Sequence, residues 1–249
     1  MSLLETPLLQ TKGLTRQYGG IRAVNDVSFK LERGEIRGVI GPNGAGKTTL
    51  VGMICGRVLP SAGSVAFDGQ DITRMQPWNR VARGIVYTFQ ITSVYRRLTC
   101  RENVALAAQR HLTRTEGHRF ALPQARLDAA VDEALSAVGL TGEAERIAGE
   151  LPYGHQRLLE IAMGLALKPS LLILDEPTQG LAPGDIAPFC DLIRKTAQAT
   201  TILFIEHNLK VVLELADRVT VMDRGAILAE GTPAEIEQHP AVQQAYLGD

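Results

Sequence analysis

A parallel, doubly wound α/β core is the fold class predicted by this 249-residue sequence. Three observations predict it. A glycine-rich loop, Gly41-Pro42-Asn43-Gly44-Ala45-Gly46-Lys47-Thr48, lies between a strand-like segment and a helix-like one. An apolar run, Leu171-Leu172-Ile173-Leu174, ends in Asp175-Glu176, as expected of a strand buried on both faces. Further strand-like segments at 36–40, 85–89, 201–206 and 217–223 are separated by helical stretches, the alternation of repeated βα units.

The elements follow in order. Three β-like segments at 8–14, 24–31 and 64–68 are punctuated by Gly19-Gly20 and by Asp68-Gly69, both turn signals. The segment at 36–40 is rich in β-branched residues, which suits a strand. It feeds the glycine-rich loop, and Thr48-Thr49-Leu50-Val51 opens a helix. Residues 92–165 read differently. Stretches 102–111, 124–138 and 156–167 have helical spacing and few strand formers, so a helical subdomain is expected within one domain spanning 6–249. The tail at 235–249 reads as a polar helix with no assignable chemistry.

The loop matches G-x-x-x-x-G-K-[ST] in full, in the strand-to-helix context that the motif requires. Gly41, Gly44 and Gly46 permit backbone conformations closed to other residues, so that N–H groups turn toward phosphate oxygens. The helix N-terminus adds partial positive charge. Lys47 is placed to reach the β- and γ-phosphates, and Thr48, with Thr49 beside it, to offer a hydroxyl to Mg²⁺. Asp175 is the second candidate Mg²⁺ ligand. Glu176, one residue further, is the candidate to orient or deprotonate water. The chemistry implied is binding and hydrolysis of a nucleoside triphosphate.

Composition narrows the setting. A formal charge of −1 provides no basic footprint for nucleic acid. Cys55, Cys100 and Cys190 are widely spaced and odd in number, which fits reduced thiols. No apolar stretch reaches the roughly 20 residues that span a bilayer. Residues 1–10 lack a basic leader and carry Glu5, unlike a secretory signal. A cytoplasmic protein that reaches the membrane through a partner is expected. Arg110, His111, Arg114, His118, Arg119 and Arg126 make one segment basic; a solvated face and a contact with lipid or a membrane subunit both account for it.

Between the two phosphate-site motifs lies Leu151-Pro152-Tyr153-Gly154-His155-Gln156-Arg157-Leu158-Leu159-Glu160. It resembles the signature motif of the ATP-binding cassette (ABC) ATPases, and the resemblance covers nearly the whole chain. Tyr18 is similar to the family's adenine-stacking aromatic, although an ordinary edge-strand tyrosine reads the same way. Gln90 resembles the Q-loop glutamine, Gly180-Leu181-Ala182-Pro183 the D-loop, and His207 the switch histidine. The resemblance implies a P-loop ABC ATPase fold, with an antiparallel β subdomain and a helical subdomain at about 92–165. It implies that Gln90 contacts Mg²⁺ or the attacking water, and that His207 bonds the γ-phosphate and the catalytic glutamate. Tyr153, Gly154 and His155 would face ATP held by a second subunit, in a homo- or heterodimer closed by two ATP molecules. Two departures stand out. Pro152 replaces the usual signature serine, and Ala182 replaces the usual D-loop aspartate. Each removes a contact expected across the dimer.

The wording at 153–162, Glu206-His207-Asn208-Leu209-Lys210-Val211-Val212, residues 229–236 and Ala245-Tyr246-Leu247-Gly248 is similar to that of importer subunits for branched-chain and other hydrophobic amino acids. Urea and aromatic-acid importers share much of it. Soluble ABC ATPases outside transport usually add coiled-coil insertions or a second cassette, and neither occurs here. The resemblance implies transmembrane permease subunits as partners, an extracytoplasmic solute-binding protein acting indirectly, and a place at the inner face of the membrane. Residues 91–99 would receive the permease's coupling helix, with Val94, Tyr95 and Leu98 as exposed apolar contacts; ordinary core packing of the same three residues also accounts for them.

Overall fold

Residues 6–88, 93–115 and 122–247 are described in a computed structural model. The first strand, β1 (Leu9–Tyr18), organises an antiparallel sheet. It pairs with β2 (Ile21–Val27), β3 (Lys30–Leu31) and β5 (Ala62–Phe67), and β6 (Gln70–Asp71) extends β5. The segment expected as one strand at 24–31 is therefore two. Thr11 makes the break: its N–H donates to Phe29 O, its hydroxyl donates to Val27 O, and Phe29 N donates back to that hydroxyl. A side chain satisfies backbone groups where the ladder is interrupted.

The second sheet runs β11-β10-β4-β9-β8-β7. Its strands are β4 (Ile36–Ile40), β7 (Ile85–Tyr87), β8 (Leu171–Asp175), β9 (Thr201–Ile205), β10 (Arg218–Asp223) and β11 (Ala226–Gly231). All neighbours are parallel except β10 and β11. The apolar run at 171–174 is buried on both faces. Leu172 and Leu174 join one core with Ile202 and Phe204, while Leu171 and Ile173 join another with Leu203 and Ile205. The first core extends into α3 (Cys100–Thr115), α4 (Gln124–Ala137) and α5 (Tyr153–Ala166). The second binds the antiparallel sheet and α1 (Lys47–Ile54) to the opposite face.

The remaining helices are α2 (Pro77–Ala82), α6 (Pro183–Ala197), α7 (Leu209–Leu215), α8 (Pro233–Glu237) and α9 (Pro240–Leu247). The expected single helical tail is two helices. Thr232 and Glu235 form a capping box that starts the first, and Pro240 starts the second. Helix α5 begins at Tyr153 rather than at Gln156, so Gly154 lies inside its first turn and not in a turn ahead of it. Among the described residues no helix is long and apolar enough to cross a membrane. All three cysteines are buried and free.

Candidate nucleotide-binding site

The C-terminal ends of β4, β8 and β9 converge, and each delivers part of the site. From β4 the chain enters the phosphate loop. Gly41, Gly44 and Gly46 have φ of 152°, 81° and 97°, conformations that favour glycine. A Cβ at Gly41 would lie 2.1 Å from Met222 O, and one at Gly46 2.2 Å from Ala23 O. At Gly44 nothing lies within 4 Å. Two of the glycines are therefore demanded by close backbone packing, while the third faces open space.

Lys47 opens α1 and is only 6 % exposed. Its Nζ donates to Gly41 O at 2.6 Å and Pro42 O at 3.0 Å, so the ammonium is folded onto its own loop. Burial lowers its pKa, against the opposing pull of Glu176 and Asp175. Thr48 is exposed at the helix start.

Asp175 ends β8 and is 2 % exposed. Its Oδ2 accepts a 2.6 Å hydrogen bond from Tyr87 Oη. Burial raises its pKa, and the Tyr87 bond opposes that rise. Tyr87, on the neighbouring β7, is a site residue that the sequence reading did not single out; nothing in its local pattern distinguishes it from a core aromatic.

Glu176 follows with φ of 48°, in the left-handed region, where non-glycine residues are uncommon and mark local strain. Its N–H donates to Ile205 O at 2.9 Å, which ties the turn to β9. Its Oε1 lies 2.8 Å from His207 Nε2. Glu206, between β9 and His207, is a second residue missed from sequence. It is 3 % exposed and accepts hydrogen bonds from Thr178 and from the backbone N–H groups of His207 and Asn208.

One open cleft of about 480 Å³ collects much of this set. Tyr18, Ala23, residues 43–49, Glu176 and His207 line it. Tyr18 is 45 % exposed, with the Arg16 guanidinium 4.4 Å from its ring centroid. The signature residues are elsewhere. Gly154 and His155 line a different cavity of about 410 Å³ with Leu181 and Phe189. Gly180 packs against the Tyr153 ring, where an added Cβ would come within 2.7 Å. Residues 153–154 and 180–181 thus pack on each other, and none of them lines the phosphate-loop cleft. Pro152 and Ala182 are the N-caps of α5 and α6, and neither makes a side-chain cap bond. Gln90 lies outside the described residues, as do Ile91, Thr92, His118 and Arg119.

Comparison with known proteins shows what the chain as a whole is similar to. Residues 24–179 match the family model described as ABC transporter. Residues 226–249 match a second, described as branched-chain amino acid ATP-binding cassette transporter. The chain is 40 % identical over 255 residues to the high-affinity branched-chain amino acid transport ATP-binding protein BraF of Pseudomonas aeruginosa, covering 99 % of this chain and 100 % of that protein. It is 39 % identical over 257 residues to LivG, of the same description, from Escherichia coli K12, with the same coverage. Among solved structures, the ADP conformation of MJ1267, an ATP-binding cassette of an ABC transporter, superposes with a TM-score of 0.86 at 30 % identity, covering 98 % of this chain and all of that one. A nucleotide-free cassette superposes with a TM-score of 0.83, also at 30 % identity, with coverage of 98 % and 100 %.

Proposed function

Because the chain belongs to the ABC transporter family of ATP-binding proteins, we propose that it is the subunit that hydrolyses ATP in an importer of branched-chain amino acids or closely related small solutes. ATP hydrolysis coupled to transport is its family's activity. The observation that carries the reading is the shared cleft of the phosphate loop, Tyr18, Glu176 and His207. The solute class is supported by the match of residues 226–249 and by the full-length likeness to BraF and LivG.

In this reading Tyr18 stacks on the adenine, and the loop N–H groups and the N-terminus of α1 hold the phosphates. Lys47 leaves the carbonyls of Gly41 and Pro42 for the β- and γ-phosphates, whose negative charge offsets the hydration that burial costs its ammonium. Thr48 and Asp175 are hard oxygen donors suited to Mg²⁺. The Asp175 carboxyl commits one oxygen to Tyr87, and a cation beside it would offset the cost of burying its charge. Bound there, Mg²⁺ supplies positive charge to the phosphate oxygens. Glu176 takes a proton from water as the water oxygen bonds to the γ-phosphorus and the bond to ADP breaks. His207 holds the Glu176 carboxylate in place through the 2.8 Å contact.

The partners are a second cassette subunit and the transmembrane permease subunits, which bring the chain to the inner face of the membrane. The separation of Gly154 and His155 from this chain's own phosphate loop supports a site completed across a dimer. Lys47→Ala should abolish binding of a fluorescent ATP analogue. Glu176→Gln should keep binding, lose turnover and accumulate a dimer with ATP and Mg²⁺ on size exclusion. Unchanged affinity in the first variant, or wild-type hydrolysis in the second, would overturn the assignment of the cleft.

A further inference from the structure

We propose that Glu206 is a positioning residue for ATP hydrolysis, a buried carboxylate that clamps the Glu176 loop to the His207 loop. The inference rests on the ATPase reading of the cleft and assigns a task to a side chain that the mechanism above leaves unused.

Glu206 directly follows β9 and is 3 % exposed. Its Oε1 accepts from Thr178 N at 2.8 Å and from Thr178 Oγ1 at 2.5 Å. Its Oε2 accepts from His207 N at 3.0 Å and, more weakly, from Asn208 N at 3.4 Å. All four bonds are donated to the carboxylate, and among the described residues no cation forms an ion pair with it. A buried carboxylate is costly unless its lone pairs are met, and here two loops meet them.

Those two loops carry the reacting pair. Thr178 lies two residues after Glu176 and belongs to a turn closed by Gln179 N to Glu176 O at 3.1 Å and Leu181 N to Thr178 O at 3.1 Å. That turn holds Glu176 at its φ of 48°. His207 follows Glu206 directly, and Asn208 caps α7 through its bond from Val211 N. The Glu176–His207 contact of 2.8 Å thus closes a ring whose other side is Glu206 and Thr178. A residue that merely filled the core here would be apolar, and would leave the N–H groups of Thr178, His207 and Asn208 without acceptors. Glutamine fits the space but presents an amide NH₂ toward N–H donors on one side. The carboxylate is required because both of its ends must accept.

Steady-state ATPase kinetics test the clamp. Glu206→Gln should lower kcat by roughly ten- to a hundredfold, the scale of a misplaced catalytic group, with KM for ATP within about twofold. Thr178 supplies a control that packing cannot imitate. Thr178→Val keeps the shape and the N–H but removes the hydroxyl bond to Glu206, and should lower kcat. Thr178→Ser loses a methyl but keeps the hydroxyl, and should stay near wild type. A packing role ranks the two in the opposite order. If Glu206→Gln does not fold, the serine–valine ranking decides. Unchanged kcat in Glu206→Gln, a rise in KM alone, or valine outperforming serine would overturn the clamp. A wild-type protein with no Lys47-dependent hydrolysis would instead overturn the reading of the cleft.

Discussion

Tyr18 and Asp175 illustrate how single side chains are prepared for a ligand. The Tyr18 ring is held from one side by Arg16, which is itself anchored by a 2.9 Å bond to Leu59 O. A flat, pre-oriented aromatic at the rim of the cleft loses little freedom when a base stacks on it. Tyr18→Ala should therefore weaken ATP binding by about 1–3 kcal/mol, the range for base stacking on aromatic residues. Tyr18→Phe should be nearly silent in the same titration, and a large defect there would shift the role to the hydroxyl. Asp175 shows the opposite economy, a charge held ready at a cost to the empty protein. Burial raises its pKa above the ordinary 3.8. A carboxyl raised in this way favours the fold when protonated, so its contribution is full below about 3.8, the unfolded value, and is lost as pH rises through the folded value. Asp175→Asn keeps an acceptor for Tyr87 and removes the charge. Its melting temperature should match wild type at acidic pH and exceed it increasingly toward neutral pH, while ATP hydrolysis is lost. A variant less stable than wild type at neutral pH would show that the carboxylate stabilises the empty site.

Elements are placed by groups that the sequence displays less openly than its motifs. Arg80 is 1 % exposed, and its guanidinium donates to Met53 O and Ile54 O, each at 2.7 Å, as well as to Thr73 O and Met75 O. Met53 and Ile54 end α1, so a buried cation from the next helix caps the carbonyl end of the phosphate-loop helix, where the helix dipole favours positive charge. Arg80→Met should leave those carbonyls unsatisfied. A loss of at least about 1–3 kcal/mol in denaturant unfolding is expected, and an unchanged midpoint would mean that water replaces the guanidinium. Nothing in Pro77-Trp78-Asn79-Arg80 signals this from sequence, because the acceptors in α1, Met53 O and Ile54 O, lie more than twenty residues away. The same distance rule separates what was legible from what was not. The phosphate loop and the apolar run at 171–174 announce themselves through local pattern, and the parallel core follows from them. The division of 24–31 by Thr11 and the roles of Tyr87 and Glu206 depend on partners remote in sequence, whereas β11 pairs with β10, the strand just before it. The first turn of α5 was missed for a different reason: Pro152 acts as N-cap without a capping side chain, so the usual start signal is absent.

At the scale of the whole molecule, the parallel sheet joins two cores, and the helical part shares one of them. Val94 packs against that core and is half-buried, and Leu98 is also half-buried; only Tyr95 of the three expected contacts is exposed, at 56 %. Asn103, fully buried, holds this segment in place. Its Oδ1 accepts from Tyr95 N at 2.7 Å, and its Nδ2 donates to Tyr95 O at 3.1 Å and Thr99 O at 2.8 Å. A segment whose backbone is held by Asn103 and which presents one exposed aromatic suits an interface anchor, because its backbone is fixed before any partner arrives. The permease contact proposed for this surface therefore centres on Tyr95, while Val94 packs into the fold. Tyr95→Asp should change stability by no more than about 0.5 kcal/mol, as exposed substitutions usually do, and should leave basal ATP hydrolysis of the free subunit near wild type. In vesicles reconstituted with the permease it should abolish docking and transport, since a carboxylate carried into an apolar groove without a partner is costly. Val94→Asp is the contrasting variant and should lower the melting temperature of the isolated subunit. If Tyr95→Asp folds, hydrolyses ATP and still drives transport at the wild-type rate, the coupling surface lies elsewhere on the molecule.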